Sequence, residues 1–435
     1  RYPSSCGVRT NGVVAHPGQP LLPELISEAG YHTAAFGKIH YHPVRSEPDG
    51  YWPENVHCID SGMDLTQPYL GFETIRLGCG HGDVIPGLHA RELERDHPEI
   101  YRKRGPKGAL EVPDPALHQG SKLETYKTAI PEEHYATSWV VDRTVEYLEK
   151  AEEPFFVWCG INDPHHPFKP PGEYWHRFRP ADMPLPSKVE GELDHAPPHF
   201  RGFQDGVYSD LKMDGYYLGD NPYLTDDAIR IIRAAYYGMV SMIDDGMTRI
   251  LGALQSRGLD ERTLVFFLTD HGELLGDHGL ILKGPFHYQS SLRVPLLARG
   301  PGLPSGHVVN GPVGLIDLFP TLLELAGASA PDGIQSESLV PQLTGTSSAG
   351  RDGVLIEQDV DVMDIRLRSM ISDRWRITHY ASQPYGELYD LESDPNEFEN
   401  LWDRGDPKVK NELLAQLLDL MATNDDWLPP KVCHA

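Results

Sequence analysis

Leu268-Thr269-Asp270-His271-Gly272-Glu273, followed by Gly276-Asp277-His278-Gly279 and then Lys283, is the stretch on which the reading of this chain turns. It continues an apolar run, Thr263 to Leu268, that has strand character. Ligands of parallel α/β sheets bind at the carboxyl ends of strands, so a strand ending in a carboxylate and an imidazole is informative. Asp and neutral His are both metal ligands, and Gly272 is expected to let the chain turn away sharply. Taken alone, Asp-His after a strand is also an ordinary loop cap or surface pair. The glycines, His278 and the cation Lys283 move the reading toward a site.

Working outward, two further strand ends carry similar groups. Thr33 to Phe36 reads as a short buried strand, running into Gly37-Lys38-Ile39-His40. Lys38 and His40 are two positions apart, so an extended segment would point both to one side, where they suit an oxyanion. Phe155 to Ile161 is a continuous apolar run, expected as a strand covered on both faces. It leads into Asn162-Asp163-Pro164-His165-His166-Pro167-Phe168, whose prolines hold the histidines extended. Each segment alone also reads as a solvated or rigid loop. Their coincidence carries the weight, because strand ends of one parallel sheet lie side by side. A metal with several cationic donors suits a tetrahedral oxyanion, sulfate or phosphate.

The remainder of the chain sets this site in an α/β frame. Helices are expected over Leu21 to Gly30, Glu132 to Ala151 and Leu315 to Leu325. The longest opens at Thr225, with an apolar stripe of Ile229, Ile232, Tyr236, Val240, Ile243, Met247, Ile250 and Leu254. The irregular stretch from Tyr41 to Ile130 is long enough to shape a site. Short strands over Val354 to Glu357, Arg366 to Ser372, Trp375 to Tyr380 and Glu387 to Leu391 suggest an antiparallel meander, closed by a helix from Lys408 to Ala422. The expected fold class is therefore α/β: a mostly parallel sheet flanked by helices over residues 1–340, and a smaller antiparallel sheet plus helix over 341–435. The 435 residues hold 38 Lys and Arg against 64 Asp and Glu, a formal net charge of -26. That balance argues against a nucleic-acid partner, and no apolar run of about 18 residues suggests a membrane span. A chain of this sign needs a local cationic pocket to accept an anionic substrate. The five cysteines, Cys6, Cys58, Cys79, Cys159 and Cys433, are odd in number and lack CxxC spacing, so they read as thiols.

The order of these motifs resembles the sulfatase family, on the alkaline-phosphatase-like fold. Gly37-Lys38-Ile39-His40 is similar to the family's G-K-x-H segment, and Pro164-His165-His166-Pro167 to its P-H-x-P segment. Thr269-Asp270-His271-Gly272 is similar to the metal-binding D-[NH]-G segment, and Lys283 to the lysine that follows it. Arg293-Val294-Pro295 resembles the R-V-P opening the next strand. Glu387-Leu388-Tyr389-Asp390-Leu391, with Asp394-Pro395 and Glu399-Asn400-Leu401, resembles the closing signature.

The resemblance implies a sulfuric ester hydrolase acting on a small-molecule or carbohydrate sulfate ester. Asp270 and His271 would bind a divalent metal, Ca²⁺ first, with Mn²⁺ or Mg²⁺ as alternatives. Lys38, His165 and Lys283 would contact the sulfate, and His40 would join them in catalysis. The family's nucleophile, a formylglycine made from the Cys or Ser of C-x-P-S-R, has no counterpart here. Cys6-Gly7-Val8-Arg9 lacks the proline and the spacing, so Cys6 reads as structural. Arg1-Tyr2-Pro3 resembles the stretch just after that motif, so the nucleophile, the first strand and two aspartate ligands are expected before Arg1, and the chain by itself is expected to be inactive. His271 stands where many relatives carry Asn, a feature of a branch that includes choline-sulfatase-like and phosphonate-monoesterase-like enzymes. Two alternatives stay open: a phosphate or phosphonate monoester hydrolase on the same scaffold, and a non-catalytic anion-binding relative.

Overall fold

The computed structural model describes residues 1–14, 18–42, 67–118, 123–208, 212–213, 216–217 and 224–424. Cys58 and Cys433 lie outside the described residues. Cys6 and Cys159 are free thiols.

Helix α1 (Leu22–Glu28) precedes strand β1 (His32–Gly37), which is buried almost throughout. Strand β2 (Thr74–Leu77) and, after helix α2 (Ala136–Leu148), strand β3 (Phe155–Gly160) pair with β1 in parallel, giving the order β2-β1-β3. A short antiparallel ribbon of β4 (Lys212–Met213) and β5 (Tyr216–Tyr217) precedes helix α3 (Asp226–Ser256). Thr225 caps α3 by accepting from the Ala228 amide at 3.1 Å, with Asp226 and Asp227 in the first turn, where the helix dipole favours anions.

Strand β6 (Val265–Leu268) pairs antiparallel with β7 (Leu296–Arg299), and the two form a separate ladder. The hydrogen-bonded parallel sheet therefore contains two of the three strand ends expected side by side. The third shares an apolar layer instead: Val265 packs with Phe155, Val157 and Cys159 against Val141, Leu148, Ile250 and Leu254 of α2 and α3. Strand β3 is covered less completely than its sequence suggested, and Trp158 is 41 % exposed.

The α3 stripe holds at both ends, where Ile229, Ile232, Ile250 and Leu254 are buried, and shifts in the middle: Val240 is exposed, while Ala235, Gly238, Met239, Met242 and Gly246 are buried. Small residues set that face: a Cβ on Gly238 would lie 2.4 Å from the Tyr174 carbonyl oxygen, and one on Gly246 2.7 Å from Val141. Hydrophobic periodicity undercounts glycine, so it misplaces a helix face that needs close approach. Among the described residues no helix is long and apolar enough to cross a membrane.

Helix α4 (Leu318–Leu325) leads to an antiparallel sheet of β8 (Val354–Val360), β9 (Ile365–Ile371), β10 (Trp375–Tyr380) and β11 (Gly386–Asp390), in the order β11-β10-β9-β8. Helix α5 (Pro407–Thr423) covers one face through Leu413 and Leu417, packed on Leu355, Met370, Ile377 and Leu388. The other face carries a buried polar network. Arg376 pairs with Glu387 at 3.0 Å and with Glu397, and Tyr380 donates to Glu387 at 2.6 Å. Such a network is tolerable only because its charges are paired.

This sheet also braces the segment after Lys283. Gln358 donates to the Gly284 carbonyl at 3.2 Å, and the His287 ring nitrogens lie 2.7 Å from Ser369 Oγ and 3.0 Å from Gln358 Oε1. Burial, then the nearby Arg376 charge, pulls His287 down to about 3, and burial pulls His199 down to about 4, from an ordinary value of 6.5. Below pH 6.5 the unfolded chain takes up protons that the folded chain refuses. Stability is therefore full above that pH and falls as the pH drops toward 4, by about 1.4 kcal/mol per unit for each histidine. Urea unfolding at stepped pH should show this slope, and His287→Gln should flatten it; an unchanged slope would remove His287 from the account.

Candidate active site

Strand β1 delivers Lys38 through a close backbone contact. Gly37 has φ 88°, and the Lys38 amide donates to the Gly160 carbonyl at 2.8 Å. A Cβ on Gly37 would sit 2.1 Å from that carbonyl oxygen. Gly37→Ala should therefore cost on the order of 3 kcal/mol, measured by denaturant unfolding. A loss below about 1 kcal/mol would mean that the β1–β3 ends adjust freely.

The chain does not continue extended past this point. His40 has φ 60° and is exposed, so the alternation that placed Lys38 and His40 on one side does not apply. His40 remains near enough for its charge to help depress His81.

After β3, the buried Asn162 donates to the carbonyls of Gly80 at 2.5 Å and Gly78 at 3.4 Å, tying the segment after β2 to the end of β3. That contact places His81 flat against His165, with ring centroids 3.5 Å apart and planes 11° apart. His166 follows, 4.1 Å from His165. His165 Nδ1 donates to the His166 carbonyl at 2.6 Å, so a neutral His165 carries its lone pair on Nε2. Lys283 Nζ lies 3.1 Å from that nitrogen.

His271 repeats this arrangement after β6. Its Nδ1 donates to the Gly272 carbonyl at 2.7 Å, and its Nε2 faces Lys283 Nζ at 3.0 Å. Gly272 is needed for close approach rather than for the sharp turn expected of it: a Cβ would meet the Ser290 carbonyl oxygen at 2.0 Å. Asp270 is exposed, and Asp270 Oδ2 lies 3.8 Å from His271 Nε2.

Burial, reinforced by neighbouring cations and rings, pulls His81, His165 and His271 below the ordinary imidazole value, so all three are neutral near pH 7. Burial also lowers the Lys283 ammonium, with Asp270 opposing the shift and Lys38 adding to it. Desolvation would raise Asp270, but His271, Lys38 and Lys283 outweigh it and hold the carboxylate below its usual range. The result is a cationic patch with one carboxylate at its edge, on a chain of net charge -26.

Asp270 and His271 suit a divalent metal as part of a shell. Metal-bound histidines ordinarily donate their second ring N–H to a carbonyl or carboxylate, as Nδ1 of His271 does. Among the described residues no group of three His, Cys, Asp or Glu side chains is placed to hold a metal ion.

The structure thus joins Lys38, His165, Lys283, Asp270 and His271, and leaves His40 at the exposed margin. It excludes His278, which is buried against Tyr288 with centroids 3.7 Å apart. Tyr174 is buried and donates to Asp245 at 2.9 Å, while Trp175 donates to Glu111 at 3.1 Å. Sequence reasoning missed His81, although a histidine between glycines just after the alternating Thr74–Leu77 segment was the available signal.

A parallel sheet flanked by helices, followed by a small antiparallel sheet, is the architecture of hydrolases with the alkaline-phosphatase-like fold. The phosphonate monoester hydrolase of Agrobacterium radiobacter is a solved example. It superposes with a TM-score of 0.74 at 25% identity, covering 97% of this chain and 84% of that one. The chain belongs to the sulfatase family: the Sulfatase family model matches residues 1–328, and a model for the C-terminal part of N-sulphoglucosamine sulphohydrolase matches 276–423. An arylsulfatase of Clostridium perfringens is 26% identical over 90% of this chain and 76% of its own length. A multifunctional alkaline phosphatase superfamily protein of Trinickia caryophylli is 31% identical over 64% of this chain and 57% of its own.

Proposed function

We propose that the protein hydrolyses a sulfate monoester of a small molecule or carbohydrate at a divalent-metal site. The observation that carries this reading is the position of Lys283 Nζ, 3.1 Å from His165 Nε2 and 3.0 Å from His271 Nε2. Both Nε2 atoms carry lone pairs, because both Nδ1 atoms are committed to carbonyls; with a metal bound, the His271 lone pair would go to the metal and Lys283 would keep His165 as its acceptor. Lys283 is thus the proton-bearing member of the trio, and it is the group that donates to the departing ester oxygen. His165 orients that ammonium, and Lys38 balances charge on the nonbridging oxygens. His40, at the exposed margin, acts when sulfate leaves.

Asp270 and His271 would hold the metal, Ca²⁺ by the family resemblance, with Mn²⁺ or Mg²⁺ as alternatives. When bound, the metal supplies Lewis-acid stabilisation of the sulfuryl oxygens. The resemblance also implies a formylglycine nucleophile, which supplies the attack on sulfur. The imidazole of His271 favours Mn²⁺ over Ca²⁺ more than an amide oxygen would.

A phosphonate or phosphate monoester is the second reading, supported by His271 and by the likeness to the Agrobacterium enzyme. Inorganic sulfate released from an aryl sulfate by the full-length protein tests the first. Release should stop after chelation and return with added metal. No sulfate release under any metal loading would remove the proposal.

A further inference from the structure

Beneath the two stacked histidines lies a buried ion pair that the proposed chemistry does not use. Lys169 is 1 % exposed, and its Nζ is 3.3 Å from Asp83 Oδ1 and 2.8 Å from Glu124 Oε2, over the Tyr126 ring at 4.6 Å. Asp83 is also buried and accepts from Thr128 Oγ1 at 2.7 Å and from Tyr126 OH at 3.3 Å. Asp83 follows His81 by two residues, and Lys169 follows His165 by four. The pair therefore crosses between the segment after β2 and the segment after β3, close to where each presents its histidine. A Cβ on Gly82 would lie 3.3 Å from Pro167 Cδ and 3.6 Å from Lys169 Cδ, so the two segments are already in contact between histidines and ion pair.

The stack orders two lysines together. Lys283 Nζ faces His165 Nε2 at 3.1 Å, and Lys38 Nζ faces His81 Nε2 at 3.5 Å. Two parallel Lys–His pairs thus share one ring contact. We propose that Asp83 and Lys169 are positioning residues: they fix His81 on His165, and through that stack they set the two ammonium groups that face the ester. Charges whose removal from water is costly are held here by being paired, and the pair keeps the two loops in register. The proposal rests on the hydrolase reading only for its kinetic consequence; the clamp itself is geometric.

Asp83→Asn is the test variant, because Lys169 keeps Glu124 and the Tyr126 ring, and the amide still accepts from Thr128. Imidazole ¹H–¹⁵N spectra of the full-length protein should show the His81 and His165 resonances displaced, since stacked rings shift each other strongly. Turnover of aryl sulfates should fall about 10-fold to 100-fold, mostly in kcat, and more for poor leaving groups than for good ones, because misplacement of Lys283 weakens proton donation. Asp83→Glu should restore part of the loss. Unmoved histidine resonances with an unchanged leaving-group dependence would overturn the proposal, even if the variant melted earlier. Failure of the wild type to turn over any sulfate ester would count against the hydrolase reading, and the spectra would still decide the clamp.

Discussion

Replacing Lys283 by alanine is expected to lower kcat/KM for an aryl sulfate by about 10³-fold, with the melting temperature unchanged or higher. The expectation follows from the position of this side chain. It is half-buried, its ammonium is weakened by that burial, and its nitrogen sits between two neutral imidazoles. Such a cation costs stability to hold, so deleting it relieves the fold while removing the proposed proton donor for the leaving group. The loss should shrink toward a few-fold for esters whose leaving group needs no proton. Matched kinetics and calorimetry on wild type and variant check both halves. A variant that keeps wild-type activity toward poor leaving groups would remove Lys283 as the acid.

Asp270→Ala is expected to abolish metal-dependent turnover, at least 10³-fold, and to weaken divalent-metal affinity by at least 100-fold. Asp270 is exposed and held ionised by His271, Lys38 and Lys283, so it needs no proton release before binding a cation. Wild-type protein should gain thermal stability as metal is added, by about 2.7 kcal/mol at 100 times the dissociation constant, and the variant should not. Titration of chelated protein with Ca²⁺ and Mn²⁺, followed by melting and by bound-metal analysis, reads this directly. Equal metal stoichiometry and equal stabilisation in the variant would place the ion elsewhere.

Much of this site is legible in the sequence because strand ends are locally encoded. The apolar runs before Lys38, His165 and Asp270 form β1, β3 and β6 within one or two residues of where their patterns end. The strands beyond residue 350 and the final helix likewise follow local alternation and spacing. What escaped depends on contacts distant in sequence. His81 enters the site because Asn162 binds carbonyls 82 and 84 residues away. The middle of the buried face of α3 is set by glycines that meet Tyr174 and Val141, which periodicity does not register. The antiparallel pairing of β6 with β7 arises across an intervening loop that carries both Lys283 and the His287 brace. The closing Glu387 and Asn400 belong to the frame: Glu387 binds Arg376 and Tyr380, and Asn400 bonds the backbone of Gly386, Leu388 and His195.

The ratio of kcat/KM for an aryl sulfate to that for the matching aryl phosphonate, measured with metal-loaded full-length protein, tests the central claim most directly. The account predicts a clear preference for the sulfate, and a clear preference for the phosphonate would contradict it.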